Sequence, residues 1–153
     1  GLITFGQRSQ LATVIGKVAN HQAHHIIPWA EGINKVVQAA AKAGFHLNDA
    51  LNGINLKTFV KATGEGTHAS HKAYNKWVKN KLDNYAKQFK ELDIHACKKF
   101  IEEDLIPELL VLIKKADEAP GSLNEYFKKL NKVAESEAKA AKAAAKKLVK
   151  QDF

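Results

Sequence analysis

The 153-residue sequence contains no methionine and one cysteine. A single thiol excludes an intrachain disulfide and a cysteine-built zinc site. Cys97 falls in an apolar stripe, which favours a buried, inert thiol over a nucleophile. No uninterrupted apolar run approaches the roughly 20 residues that span a bilayer. The opening Gly1-Leu2-Ile3-Thr4-Phe5 lacks the basic region, apolar core and cleavage site of a signal peptide. A natural full-length product ordinarily begins with methionine. The chain therefore reads as a piece excised or processed from a larger protein, with any targeting signal outside it.

Hydrophobic residues make up 45% and charged residues 26%, as in an ordinary globular domain with a core of its own. The formal net charge is +8. That balance suits a polyanionic partner, either nucleic acid or an anionic membrane surface, and equally suits plain solubility of lysine-rich helices. Charge alone does not decide between them.

Periodicity predicts a short helix over residues 10–19, weakened by Gly16. Ile26-Ile27 is a β-prone run that Pro28 stops. Residues 33–43 read as a helix with Gly44 as its stop. Asn48-Asp49 and Asn52-Gly53 are turn signals, residues 54–60 can hold a second strand, and residues 63–67 read as a loop. Tyr74, Trp77, Val78, Leu82, Tyr85 and Phe89 keep a helical period, with Trp77 facing the core. A further helical run covers residues 94–116, where Pro107 must kink it or begin a new helix. Ser122, with Glu125 at capping-box spacing, opens a last helix over residues 123–149 that ends in an Ala/Lys-rich run. The expectation is a mainly α chain with a small β-hairpin: residues 1–90 form a core with an N-terminal helical segment, and residues 91–153 a helical extension packed on it.

Four of the seven histidines form two tight groups, His24-His25 and His68-Ala69-Ser70-His71. Two imidazoles three residues apart can lie on one helical face and suit two ligands to one divalent metal, or a ligand plus a phosphate contact. Neighbouring histidines on a regular strand point to opposite faces, so His24 and His25 share a site only where the strand ends or distorts. Either group alone fits solvated surface histidines. Both together in a basic chain favour a site.

Ala23-His24-His25-Ile26-Ile27-Pro28 resembles the signature of the AHH nucleases, a branch of the HNH/endonuclease VII (His-Me finger) superfamily. Ala43-Gly44-Phe45, Leu51-Asn52-Gly53-Ile54-Asn55-Leu56 and Gly66-Thr67-His68-Ala69-Ser70-His71-Lys72-Ala73-Tyr74-Asn75 follow in the same order. The resemblance covers about residues 20–85 and implies a ββα-metal core. It places His24 and His71 as metal ligands, His25 as general base, and Asn52 as the residue steadying the loop that bears the base. His68 sits three residues from His71, where other members use four, and is open as a further ligand, a phosphate contact or a helix-start residue.

The resemblance implies hydrolysis of a phosphodiester at one divalent metal, leaving a 5′-phosphate and a 3′-hydroxyl. Mg²⁺ is the expected ion, with Mn²⁺, Zn²⁺ and Ni²⁺ as alternatives. Lys72, Lys76 and Lys79 are candidates to hold the phosphate backbone without reading sequence. Tyr74 and Trp29 either stack on bases or belong to the core. Domains of this kind serve as C-terminal toxins of bacterial polymorphic systems, including contact-dependent and type VI secretion effectors. That implies DNA as partner, an acidic immunity protein, and action in the cytoplasm of a target cell. An RNase of the same fold is the alternative. A non-catalytic metal-binding helical module is disfavoured, because structural zinc sites usually close all four positions with Cys and His. A membrane-active C-terminal helix is disfavoured by its scarcity of large apolar residues.

Overall fold

The computed structural model describes residues 1–60, 66, 68 and 70–151. The loop expected over residues 63–67 therefore lies mostly outside the described residues. The element order is α1 (Gln10–Ile15), β1 (His21–His25), α2 (Lys35–Lys42), β2 (Gly53–Lys57), α3 (Lys72–Ala86), α4 (Ile94–Lys99), α5 (Ile106–Glu118) and α6 (Leu123–Gln151). The architecture is mainly helical with one antiparallel strand pair, as the ββα-metal expectation required.

The first strand carries the His pair, as in the ββα-metal core that the family resemblance implied. It runs over the histidines themselves rather than over Ile26-Ile27, which follow it fully buried. The backbone reason is Asn52. Its main-chain oxygen accepts from the Ile26 N–H (2.8 Å) and its side-chain oxygen from the Ile27 N–H (2.7 Å). The same side chain donates to the carbonyls of Ile27 and Leu47. One asparagine thus substitutes for a neighbouring strand after the ladder has ended, and Ile26 and Ile27 can turn into the core with satisfied amides.

Other boundaries moved for local reasons. Helix α1 stops at Ile15 because Gly16 takes a positive φ of 84°. Asn34 caps α2 through its side-chain oxygen and the Val36 N–H, so the helix starts later than apolar spacing suggested. Gly53 opens β2 rather than forming a hairpin turn. A Cβ there would lie 2.7 Å from Leu11 Cδ1, so the absence of a side chain lets α1 lie against the end of the strand pair. Pro107 sits in the first turn of α5, preceded by a π-helical stretch over Phe100–Leu105. The helical backbone is continuous from Ile94 to Glu118, and the π-helical stretch lies where the Pro107 ring and missing N–H disturb regular α-helical bonding.

One apolar cluster runs from Phe5 through Ile26, Ile27, Val36 and Tyr74 to Leu109, Ile113, Leu123 and Phe127. Helix α2 packs on α4, and α3 packs on α6. At the latter contact Phe127 meets Tyr74 and Trp77 edge to face, at centroid distances of 4.9 and 6.0 Å. Tyr85 stacks on Phe100 at 4.0 Å. Cys97 is fully buried. Two hydrogen bonds fasten α6 to the start of α3: the Ala73 N–H donates to the Asn124 side-chain oxygen, and the Asn131 amide donates to the Ala73 carbonyl.

Phe127 is fully buried between α3 and α6. Phe127→Ala is expected to cost about 3–5 kcal/mol of folding stability, read by urea denaturation. A loss below about 1 kcal/mol would show that α6 is not integral to the core.

Candidate active site

Strand alternation separates the two adjacent histidines. His24 pairs with Ile54 and His25 with Gly53 in the strand register, and their rings lie on opposite sides. His24 points inward at 1% exposure, with both ring nitrogens buried and without a hydrogen-bond partner. Around it stand the rings of His71 at 5.0 Å, His68 at 5.4 Å and Tyr74 at 4.8 Å. Ligand nitrogens of His24, His68 and His71 all lie within 4.8 Å of one another.

His68 and His71 do not share a helical face. His68 forms a β-bridge with Thr58: its N–H donates to the Lys57 carbonyl, and its carbonyl accepts from Phe59. His71 is the residue immediately before α3. The two rings nevertheless lie close together, with centroids 5.2 Å apart.

Each of these two rings is oriented by an amide oxygen. His68 Nδ1 is 2.5 Å from Gln22 Oε1, and His71 Nδ1 is 3.0 Å from Asn75 Oδ1. An amide oxygen only accepts, so Nδ1 carries the proton in both rings and each Nε2 keeps its lone pair. The residues therefore fit a divalent cation. Three neutral imidazoles converge, two with their tautomer set, and one with no hydrogen bond to give up. Burial holds all three below the ordinary imidazole pKa: His24 far below, with the charges of His71 and His68 adding to the effect; His68 down to about 4; and His71 more modestly.

His25 lies apart from this cluster. Its Nε2 is 2.8 Å from Asn48 Oδ1, and its ring tilts against Trp29 at 5.5 Å. Nε2 is thus the donor, and Nδ1 is the basic nitrogen. Burial lowers the His25 pKa, partly opposed by the Asn48 hydrogen bond. Asn48 is itself pinned, its amide donating to the Phe5 and Gln7 carbonyls. Asn52 steadies the Ile26-Ile27 backbone beyond His25 and does not contact the ring. The residue touching the imidazole is Asn48, which sequence reading treats only as a turn former.

Two clefts flank the cluster. One of about 700 Å³ is lined by Arg8, Gln22, His25 and His68, and one of about 450 Å³ by Arg8, Gln22, His68, His71, Lys72 and Asn75. Arg8 lies in both and is the sole arginine among 24 basic residues. That rarity is the signal by which a sequence reading could have found it.

A family model described as AHH, a nuclease family of the HNH/ENDO VII superfamily with conserved AHH, matches residues 6–107. The chain belongs to this family. No curated protein and no solved structure matches it. Nucleases of this superfamily use divalent metals, and nucleic acid is their substrate. In this nuclease the Ala-His-His signature is Ala23-His24-His25, at the end of β1.

The expected substrate contacts are divided by the structure. Lys72 borders the histidine cleft. Lys76 pairs with Glu135 at 2.9 Å and Lys79 with Asp83 at 2.8 Å, and neither lines a cleft holding a histidine of the cluster. Tyr74 requires correction as a base-stacking residue. It is fully buried and its hydroxyl donates to the Ile26 carbonyl, so no ring face is available to a base. Trp29 is only partly buried beside His25.

Neutral buried imidazoles make the metal-free protein acid-sensitive. The unfolded chain protonates these rings near pH 6.5 and the folded chain only lower, near 4 for His68, so the unfolded state binds more protons in that window. Melting temperature in a chelator is expected to fall steadily from about pH 6.5 toward 4, and less steeply for His68→Gln. An equal slope in this variant would count against a buried neutral His68.

Proposed function

We propose that the domain is a metal-dependent, largely sequence-nonspecific DNA endonuclease. The observation that carries this reading is the pairing of a three-histidine cluster with a fourth, separately oriented imidazole at the end of the same strand. His24, His68 and His71 would hold the cation. When bound, a divalent ion neutralises phosphate charge and stabilises the departing oxygen.

The chain's own groups supply the rest. Asn48 holds the His25 ring through Nε2, leaving Nδ1 to take a proton from water. The hydroxide oxygen forms the new bond to phosphorus in line, and the bond to the 3′ oxygen breaks; that oxygen leaves with the bonding pair and takes a proton from solvent water, giving a 5′-phosphate and a 3′-hydroxyl. Arg8, facing both clefts, is placed to grip the non-bridging phosphate oxygens with its planar guanidinium. Lys72 adds a second positive charge beside His71. Lys72 and Arg8 offer phosphate contacts that carry no sequence information, which supports low sequence specificity.

The biological setting belongs to the same proposal. The AHH resemblance supports a toxin domain of a secreted or injected bacterial effector acting in a target cell's cytoplasm. A net charge of +8 suits an acidic immunity protein that would mask the site in the producer. Among the described residues no helix is long and apolar enough to cross a membrane.

Purified protein is expected to degrade plasmid DNA with Mg²⁺ or Mn²⁺, to lose this activity in EDTA, and to cut duplex RNA more slowly. Intact plasmid after prolonged incubation with several divalent ions would sink the nuclease reading, and preferential RNA cleavage would replace it with the RNase alternative.

The two histidines of the pair are expected to differ. His25→Ala should lose about 10²–10⁴-fold in rate, the usual contribution of a general base, while keeping metal affinity. His24→Ala, His68→Ala and His71→Ala should weaken metal binding along with activity. Calorimetric metal titration decides: equal loss of metal affinity in His25→Ala would reverse the roles within the pair.

A further inference from the structure

Helix α6 is longer than the core needs. Of its 29 residues, Leu123, Phe127 and Asn131 are buried, and every residue from Lys132 to Lys150 is exposed. At 1.5 Å per residue the whole helix is about 43 Å long. A solvated helix of this length, exposed on all sides over its second half, calls for a reason beyond packing.

Six of its eight lysines share one face. At 100° per residue, Lys128, Lys132, Lys139, Lys142, Lys146 and Lys150 fall within an arc of about 80°. Glu135 lies on the same arc and is paired with Lys76 of α3. Between Ala138 and Lys150 there are five lysines and no acidic residue. The faces away from the arc carry alanines together with Lys129, Lys147 and Glu137, and Leu148 and Val149 near the end, too little apolar bulk for a lipid surface.

The arc also leads to the histidines. A cleft between α3 and α6 is lined by Ser70, Lys72, Lys76, Lys128 and Lys132, and Lys72 lines the cleft with His71 as well. The Asn124 and Asn131 bonds to Ala73 fasten α6 to α3 one residue beyond Lys72. Positive groups therefore run from Arg8 and Lys72 through the α3–α6 cleft to Lys128 and Lys132, and resume beyond the Lys76–Glu135 ion pair at Lys139 on the projecting helix.

We propose that this lysine face of α6 is a second nucleic-acid contact, an arm that holds the phosphate backbone of a duplex distant from the cut. From Lys128 to Lys150 the face extends about 33 Å, close to one turn of B-form duplex, about 34–36 Å. The contact reads charge and not bases, so it adds affinity without sequence preference. The inference rests on the nuclease reading and extends it to residues beyond the matched family region, 6–107.

The test neutralises the distal lysines alone, Lys139, Lys142, Lys146 and Lys150, each to Gln, a substitution compatible with helix. Circular dichroism should show the helix retained. Binding, measured in EDTA, and cleavage, measured with Mg²⁺, are compared for a hairpin with a stem of about 8 base pairs and a duplex of about 40, long enough to follow the arm. The variant is expected to match the native protein on the hairpin and to bind the long duplex at least about tenfold more weakly, with the log–log salt slope reduced by about 0.9 for each lysine lost from contact. Unchanged affinity and slope on the long duplex, with native cleavage intact, would overturn the arm and leave the nuclease reading standing. A native protein that neither binds nor cuts either substrate would remove both.

Discussion

His24 is buried at 1% exposure with neither ring nitrogen hydrogen-bonded. An unsatisfied buried polar group costs about 1–3 kcal/mol, and natural cores rarely leave one without a use. Much of the site can be understood as the surroundings this ring requires. Tyr74 closes the space beside it while sending its own hydroxyl to the Ile26 carbonyl. His68 and His71 complete the enclosure, each with Nδ1 occupied so that the remaining lone pair is not spent elsewhere. Low dielectric keeps all three rings neutral, and neutral imidazole is the form that binds a cation.

Amide side chains hold the site where secondary structure is too short to do so. Each strand has five residues. Asn52 continues the pairing past the end of β1, Asn48 fixes the His25 ring, Asn75 and Gln22 fix two rings of the cluster, and Asn124 and Asn131 fasten α6 to the start of α3. Amides suit these tasks because they donate and accept without carrying charge. Carboxylates in the same places would bring negative charge toward the phosphate that the site is proposed to hold.

Positive charge is distributed unequally in its use. Lysines on the outer part of α3 are answered by Asp83 and Glu135, whereas the sole arginine stands among the histidines. Exposed ion pairs of this kind contribute little to stability, but they do remove lysines from competition for phosphate. Net charge is thus a poor guide to where a polyanion would lie, and its placement relative to the histidine cluster is informative.

The sequence by itself determined the helices, the family and the histidines. Helical stripes such as Val78-Leu82 and Leu109-Ile113 depend on near neighbours, and the order His24-His25, Asn52, His71 is a property of the chain. Residue propensity alone did not give the end of the first strand, because β1 ends where Asn52, distant in sequence, supplies the hydrogen bonds that follow it. Tyr74 sat at a position compatible with either base stacking or the core, and only packing against His24 and Phe127 decided for the core. Asn48 looked like a turn, and Arg8 like one basic residue among many. Their relation to His25 exists only after the N-terminal segment folds across the end of the strand pair, because contacts between residues 23 and 43 positions apart leave no periodicity in the chain.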